Sequence, residues 1–332
     1  MNAKVVWAAL LLASTAALAD DKIVKIGNLD DQSSLYADIG GPGSTIAAEM
    51  AVEDSGLTKR GWTISVIAAD HQNKPDLGAA IARKWFDEDK VDVIAGMGNS
   101  GVALAVSQVT KEKNGIFLIT GAATSALTGK ACSPNTIQWA DDTYALANAT
   151  GKSVVKAGGD TWFFVTADYA FGHQLQSDTS AAVMANGGKV VGAVDVPINT
   201  PDFSSYLLQA QASTAKVVAL ANAGGDMTNS IKQAHEFGLT AGGQKLAALL
   251  LFVSDVHALG LDVAQGLNVA SSFYWDRDDG AREFSKRFSD RMRNHAMPTR
   301  VQAGVYSSLL HYFKALQTLG GNPHDGQKVV AR

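Results

Sequence analysis

Short runs of β-branched and other apolar residues alternate with segments of helical periodicity from residue 23 onward. In the first part of the chain these apolar runs are residues 23–27, 62–68, 91–95 and 116–119. Amphipathic segments at 43–52, 75–86 and 101–113 separate them, and Pro75 falls where a first helical turn accepts proline. Such strand–helix alternation predicts βαβ units and a mostly parallel sheet.

The alternation stops in a loop rich in small residues at 121–135 and starts again after residue 138. Predicted strands then follow at 161–165, 189–196, 216–221, 245–252 and 266–271, with helices between most of them. We therefore expect an α/β protein with two Rossmann-like lobes. The first would comprise residues 20–138 plus 275–332 and the second residues 139–274, because a cleft between lobes is best held by more than one crossing.

The first nineteen residues have the three parts of a secretory signal peptide. Lys4 is a single positive charge, residues 5–12 are unbroken apolar, and Ala17 and Ala19 occupy the −3 and −1 positions of an A-x-A cleavage site. The apolar run is shorter than the roughly 20 residues that a membrane span needs. A buried N-terminal helix is the structural alternative. The charged start at Asp20 favours export with residues 1–19 removed.

Composition narrows the class of protein. The 332 residues suffice for two domains, and 46% hydrophobic with 18% charged residues is typical of a globular chain. The net charge of −4 comes without a Lys/Arg cluster, so nucleic acid and anionic membranes are poor partners. The single cysteine, Cys132, is either inert, reactive or paired with a residue absent from this chain.

Residues 96–101 match the G-x-G-x-x-G pattern between a predicted strand and a predicted helix. A dinucleotide is disfavoured, because the motif follows the third strand, the next strand lacks an acidic residue for a ribose, and an exported protein is away from the NAD pool. We expect no cofactor. The helix start suits a carboxylate equally well, which makes Asn99, Ser100 and Gly101 candidate ligand-binding residues. The alternative is a tight turn whose glycines serve packing alone.

Three further loops follow predicted strands, at the carboxyl ends where parallel sheets bind ligands. In the first loop the candidate ligand-binding residues are Ala122, Ala123 and Thr124, which offer small side chains and a hydroxyl. In the second they are Tyr169 and Phe171, whose rings could cover an apolar group of the ligand. In the third the candidate is Asp226, whose carboxylate could pair with a ligand ammonium. The structural alternatives are a solvated loop, core packing for the aromatic residues, and a helix N-terminal role for the acid.

Other chemistries are not indicated. The seven histidines are scattered without an H-x-x-x-H or His/Cys cluster, so no metal site is predicted. No G-x-S-x-G elbow is present, and no histidine partner can be identified for Cys132. We expect no catalytic residues and no enzymatic activity. An exported α/β enzyme that uses the turn at 96–101 for a cofactor is the alternative.

Taken in order, the export signal, Asn99-Ser100-Gly101, the Ala122-Ala123-Thr124 loop, Phe171-Gly172 and Gly225-Asp226 resemble the branched-chain amino-acid-type periplasmic binding proteins. These are type I solute-binding proteins of ABC importers. The resemblance implies two lobes joined by a three-stranded hinge that close over a ligand in the periplasm. It also implies a membrane permease as partner and a monomeric protein.

The resemblance also implies roles for individual residues. Ser100 and Thr124, with nearby N–H groups, would hold a ligand carboxylate, and Asp226 stands where the family often has an acid for the ligand ammonium. Phe171 stands where many members have tyrosine, which puts a plain leucine-type ligand in doubt and leaves an amino acid or another small, possibly aromatic, carboxylate. The chain is shorter at its C-terminus than such proteins usually are. A missing segment would remove the last hinge crossing and a potential partner of Cys132.

Overall fold

The computed structural model describes residues 22–267 and 269–332, so the predicted signal peptide lies outside the described residues. Within them the chain forms a five-stranded and a four-stranded sheet, each entirely parallel. The prediction of an α/β protein with two lobes is therefore confirmed.

The strands of the first sheet are β1 (Ile23–Asp30), β2 (Thr63–Asp70), β3 (Val93–Gly96), β4 (Ile116–Ile119) and β5 (Thr136–Gln138), with helices α1 (Gly41–Ser55), α2 (Pro75–Lys84) and α3 (Ser100–Glu112). The second lobe contains β6 (Thr161–Ala167), β7 (Lys189–Val196), β8 (Val217–Ala221) and β9 (Lys245–Ala248), with α4 (Thr143–Lys156), α5 (Ala170–Ala185), α6 (Ser204–Ala212), α7 (Gly225–Glu236), α8 (Val253–Leu259) and α9 (Leu261–Ala264). Helices α10 (Asp279–Ser289), α11 (Arg300–Leu319) and α12 (Gly326–Val330) follow.

The strand order of each sheet reverses once, and this places the cleft. The first sheet has the order β2-β1-β3-β4-β5 and the second the order β7-β6-β8-β9. Connections therefore leave in opposite directions from β1 and β3, and likewise from β6 and β8. Such switch points open a crevice at the carboxyl ends of the strands, where ligands bind in doubly wound folds.

Helices cover both faces of the first sheet, so its central strands are apolar throughout. Every residue of β3 and of β4 is buried. Met50 of α1 and Phe313 of α11 belong to the core on one face, and Val106 of α3 belongs to the core on the other. Strands buried on both faces are expected to be continuous apolar runs rather than alternating ones.

The last helices return to the first lobe. Tyr306 of α11 donates a hydrogen bond of 2.6 Å to Asp54 at the end of α1, and Arg287 of α10 pairs with the same carboxylate at 2.8 Å. Asn322 donates to the carbonyl of Ile23 at the start of β1 over 3.0 Å. The described chain thus crosses between the lobes twice, at residues 139–142 and within residues 265–278.

Two of the predicted strands are wrong in part or entirely. The run at 245–252 is extended only to Ala248, after which the chain bends and residues 249–252 pack at the end of the sheet. None of the described residues within 266–271 lies in a strand, and Gly266 has a φ of 83°, which breaks an extended run. No helix of the described ranges combines the length and the apolar character that a membrane crossing would need.

Candidate functional site

An apolar pocket lies between the carboxyl ends of the two sheets. Each lobe contributes residues that follow three of its strands. The lining residues are Tyr36 and Ile39 after β1, Gly98 after β3, Gly121 and Ala123 after β4, Tyr169 and Phe171 after β6, Ala223 after β8, and Leu250 and Phe252 after β9. The free volume of this interlobe pocket is about 10 Å³, enough for about one water molecule, so a ligand can enter only if the lining residues or the lobes move apart.

The turn after β3 is held in a strained conformation that forms one wall of the pocket. Met97 has a φ of 76°, which is unusual for a residue other than glycine. Its carbonyl accepts the N–H of Ala122 at 2.6 Å, and this bond joins the turn after β3 to the loop after β4. A Cβ on Gly121 would lie 2.7 Å from the same carbonyl, so only glycine allows the two segments to approach so closely.

The predicted residues divide between the wall of the pocket and the layer behind it. Ala123, Tyr169 and Phe171 line the pocket. Of the others, Asn99, Ala122 and Thr124 are next to lining residues in the sequence, whereas Ser100, Gly101 and Asp226 neither line the pocket nor adjoin a lining residue in the sequence. The structure therefore brings the predicted loops together around one cavity, although it leaves most of their polar side chains beneath its surface.

Asn99, Ser100 and Thr124 form a polar layer behind Gly98 and Ala123. The side chain of Asn99 caps α3 by accepting the N–H of Val102 at 3.0 Å. The hydroxyl of Ser100 accepts the N–H of Thr124 at 3.3 Å, which leaves its own proton available to an acceptor.

The loop after β1, which the sequence did not single out, carries two pocket residues into the second lobe. Tyr36 and Ile39 are buried in one apolar cluster with Phe164 and Phe171 of that lobe. Asp31 shapes the loop by accepting the N–H groups of Ser34 and Tyr36, each at 2.9 Å. Burial acts against ionisation of this carboxyl group, but these hydrogen bonds outweigh it and hold the pKa of Asp31 below its usual value.

Tyr36 and Tyr169 join the two lobes at the pocket. Their hydroxyl oxygens lie 2.8 Å apart in a direct hydrogen bond. Burial raises the pKa of both phenols well above the ordinary value, so both stay protonated at neutral pH. The pair is a neutral polar contact in an otherwise apolar enclosure.

Asp226 at the start of α7 holds a neighbouring loop. Its two carboxylate oxygens accept the N–H groups of Asn199 and Thr200 at 2.9 and 3.0 Å. Burial raises its pKa to about 6, and the two backbone hydrogen bonds offset part of that effect.

The glycine-rich turn at 96–101 accommodates a carboxylate of the protein itself. A Cβ on Gly96 would lie 2.8 Å from the side chain of Asp30, and a Cβ on Gly98 would lie 3.3 Å from it. Burial raises the pKa of Asp30 to about 7, with backbone hydrogen bonds from Gly98 and Met97 opposing the shift. The glycines of this turn thus have a packing reason, because they leave room for the side chain of Asp30.

A second polar contact between the lobes involves Asp178 of α5. Its Oδ2 atom accepts the hydroxyl of Ser125, from the loop after β4, at 2.8 Å and that of Thr143 at 2.6 Å. The hydroxyl oxygen of Thr143 in turn accepts the N–H of Ser125 at 2.9 Å. The two lobes are therefore joined by a second polar contact besides the tyrosine pair.

The nearest approach to a metal-ligand set among the described residues is on the surface of the second lobe. Asp168, His173 and Asp195 place one ligand atom each within 4.8 Å of one another, and all three are exposed. His173 pairs with Asp168 at 2.9 Å. Cys132 is exposed and is not in a disulfide.

Sequence reasoning missed Tyr36, Ile39, Ala223, Leu250 and Phe252. Tyr36 follows β1 in the same way as the recognised loops follow β3 and β4, so strand-end position alone would have found it. Leu250 and Phe252 were read as part of a strand because their run is apolar. Only the bend after Ala248 turns them toward the pocket.

Two doubly wound lobes whose strand ends enclose a small pocket are the architecture of a solute-binding protein. The chain belongs to the periplasmic binding protein family, whose model matches residues 23–332. It is a solute-binding protein of the ABC-importer type and not an enzyme.

Relatives and solved structures agree with this assignment. A Leu/Ile/Val-binding protein homolog 6 from Brucella abortus is 26% identical over 328 residues, covering 96% of this chain and 82% of its own length. A periplasmic binding protein from Burkholderia mallei is 50% identical with a TM-score of 0.89, covering 93% of this chain and 81% of that one. A branched-chain amino acid ABC transporter periplasmic ligand-binding protein from Burkholderia xenovorans is 40% identical with a TM-score of 0.80 and the same coverage.

More distant structures share the fold. A solute-binding protein of an ABC transporter from R. palustris, solved in complex with 4-hydroxybenzoate, is 22% identical with a TM-score of 0.85. It covers 93% of this chain, and this chain covers 84% of it.

Proposed function

We propose that this protein captures a small aromatic carboxylate that carries no ammonium group and delivers it to an ABC permease. The observation that carries the proposal is the lining of the interlobe pocket, which contains aromatic and aliphatic side chains from both lobes and no charged residue. A small ligand enclosed by such a lining must present an apolar body to most of the wall.

An amino acid would bring an ammonium into this pocket without a free acid to receive it. The nearby carboxylate of Asp226 has both oxygens engaged by backbone N–H groups, and burial raises its pKa to about 6. Burying a cation without a paired acid costs several kcal/mol. The pocket therefore favours carboxylates over α-amino acids.

The ligand carboxylate would be held on the first lobe. The N-terminus of α3 carries the positive end of its helix dipole, and the hydroxyl proton of Ser100 is available beside it. Thr124 adds a second hydroxyl next to the lining residue Ala123. We propose that opening of the lobes exposes these groups and that closure buries the ligand.

The solved complexes are compatible with this class of ligand. Neighbours of the same fold are described in complex with benzoate and 4-hydroxybenzoate. In our proposal the chain acts in the periplasm as a monomer after removal of residues 1–19, and the closed form is the one that docks on the permease.

A calorimetric comparison tests the ligand class. We expect benzoate and 4-hydroxybenzoate to bind at least about 100-fold more tightly than phenylalanine and leucine, because only the amino acids add an unpaired ammonium. A thermal-shift series gives an independent reading, since a ligand at 100 times its Kd adds about 2.7 kcal/mol to the free energy of unfolding. Tighter binding of leucine than of every aromatic acid would refute the proposal.

Substitutions on the first lobe test the carboxylate position. We expect Ser100→Ala and Thr124→Ala each to weaken benzoate binding about 10- to 150-fold, the loss of one hydrogen bond to a charged group. Ser107→Ala on the same helix is the control, because that hydroxyl lies two turns further along α3 and bonds to Thr136 of β5, which does not line the pocket. Unchanged affinity in both Ser100→Ala and Thr124→Ala would place the carboxylate elsewhere.

A further inference from the structure

Arg300 begins α11 at the junction of the two lobes and is buried to an extent unusual for arginine. Its side chain is 1% exposed. Arg300 borders a cavity of about 380 Å³ beside the crossings between the lobes, here called the hinge-side cavity, whose walls include Trp139, Phe273 and Tyr306. Arginine is almost never fully buried unless it is paired, so its surroundings should supply a negative charge.

The protein supplies that charge only in part. In residues 22–267 and 269–332 no protein atom accepts a hydrogen bond from Nε, Nη1 or Nη2 of Arg300. The one ion pair is with Asp141, whose Oδ2 lies 3.4 Å from Nε and also accepts the hydroxyl of Ser272 at 3.2 Å. Burial lowers the pKa of the guanidinium, and Asp141 opposes that shift. A guanidinium has five N–H donors, and a single loose contact leaves most of them without an acceptor.

The residues on both sides of Arg300 contact the wall of the interlobe pocket. The hydroxyl of Thr299 donates to the carbonyl of Ile39 at 2.6 Å, and Val301 packs so closely that a Cβ on Gly121 would lie 3.1 Å from it. Ile39 and Gly121 both line the pocket.

The guanidinium itself contacts a third lining residue. Its carbon lies 5.3 Å from the ring centroid of Phe252, within the range of a cation–π interaction. Phe252 therefore lies against both the interlobe pocket and the guanidinium group of Arg300.

We propose that Arg300 is a specificity-determining residue of the interlobe pocket, which pairs with an anionic oxygen group on the ligand at the end nearest the hinge. This inference rests on the proposed function, because it takes the ligand to be an aromatic acid bound between the lobes. With one carboxylate at Ser100, the preferred ligand carries a second acidic substituent on its ring. The planar fork of arginine pairs with a carboxylate through two parallel hydrogen bonds, and the ligand would thereby accept from N–H donors that the protein leaves without an acceptor.

Three matched probes test this role. Benzene-1,4-dicarboxylate, 4-carbamoylbenzoate and 4-methylbenzoate share one carboxylate and one ring, and they differ in whether the second group is anionic, polar or apolar. We expect the wild-type protein to bind the dicarboxylate at least about tenfold more tightly than 4-methylbenzoate in calorimetry, with the carbamoyl compound between them.

Arg300→Met removes the charge and keeps much of the volume. We expect this variant to bind 4-methylbenzoate within about threefold of the wild type and to lose its preference for the dicarboxylate. Arg277→Met is the matched control, because Arg277 also borders the hinge-side cavity but is exposed and pairs with Asp278 at 2.9 Å. The control should keep the wild-type order of affinities.

The outcomes separate this inference from the proposed function. If no aromatic acid binds the wild type, the proposed function fails and the role of Arg300 fails with it. If 4-methylbenzoate binds the wild type at least as tightly as the dicarboxylate, only the inference about Arg300 is overturned. An unchanged dicarboxylate preference in folded Arg300→Met, judged by circular dichroism, overturns it as well and assigns the cation a structural role at the hinge.

Discussion

Asp30 shows how a single buried side chain links the wall of the pocket to the pH of the solution. Asp30 is the last residue of β1 and lies beneath the turn that carries Gly96 and Gly98. The residue is 1% exposed. Burial raises its pKa from the ordinary 3.8 to about 7. The folded protein therefore holds a proton on this carboxyl group at pH values where the unfolded chain has released it.

The raised pKa predicts a pH-dependent loss of stability. Between about pH 4 and 7 the folded state binds more protons at Asp30 than the unfolded state, so its contribution to the free energy of unfolding falls as the pH rises. Asp30→Asn should remove this contribution, on the order of 2–4 kcal/mol across the interval.

Urea denaturation at several pH values gives the free energy of unfolding as a function of pH. The slope of that function should differ between wild type and Asp30→Asn. The difference is the informative quantity, because His71 acts in the opposite direction. Burial lowers its pKa from 6.5 to about 4, so its contribution to stability rises with pH over that range. Parallel pH profiles for the two proteins would show that Asp30 is ionised throughout.

At the scale of single elements, the N-terminus of α11 connects the last part of the chain to the loop after β1. Thr299 and Gln302 form a capping box, and the side chain of each also donates to a carbonyl in that loop. The hydroxyl of Thr299 bonds to Ile39 at 2.6 Å, and the amide of Gln302 bonds to Gly40 at 3.0 Å. One helix start thereby positions the loop that reaches into the second lobe.

Thr299→Ala should lower the free energy of unfolding by about 1–3 kcal/mol, because it removes a helix cap and leaves a buried carbonyl without its donor. Thr318→Ala in the same helix is the control, since its exposed hydroxyl bonds only within the helix, to Lys314 at 2.9 Å. We expect that control to change stability by no more than about 0.5 kcal/mol. Equal effects of the two substitutions in chemical denaturation would contradict the role of Thr299.

At the scale of the whole molecule, two polar contacts add to the apolar packing of the loop after β1 in holding the lobes together around the pocket. One is the hydrogen bond between the hydroxyls of Tyr36 and Tyr169, and the other is the hydrogen bond that the Ser125 hydroxyl donates to Asp178. A typical hydrogen bond contributes only about 0.5–1.5 kcal/mol net, so contacts of this size can be broken and reformed as a ligand enters and leaves.

Tyr36→Phe should therefore shift the ligand-free protein toward an open arrangement. The change removes one hydroxyl and leaves the buried ring in place, so the expected result is a larger radius of gyration in small-angle X-ray scattering. Tyr206→Phe, in the second lobe away from the pocket, should scatter as the wild type does. Identical curves for Tyr36→Phe and wild type would show that the tyrosine pair does not hold the lobes closed.

The sequence by itself determined the elements and the edge of each sheet at which a ligand would bind. Strand–helix alternation is a local pattern, and the carboxyl ends of parallel strands meet at one edge whatever the rest of the chain does. For that reason Ala123, Tyr169 and Phe171 could be placed at the pocket from their positions after strands. Whether Ser100, Thr124 and Asp226 contact the ligand stays a prediction.

Only the tertiary structure decided which other residues join them. Tyr36 reaches the pocket because its loop crosses to the other lobe, and Phe252 reaches it because the chain bends after β9. Nothing in the local pattern around Arg300 shows that its guanidinium is buried with so few partners. Burial and charge pairing depend on which distant segments pack together, and that information lies in the contacts between lobes rather than in the periodicity of any one element.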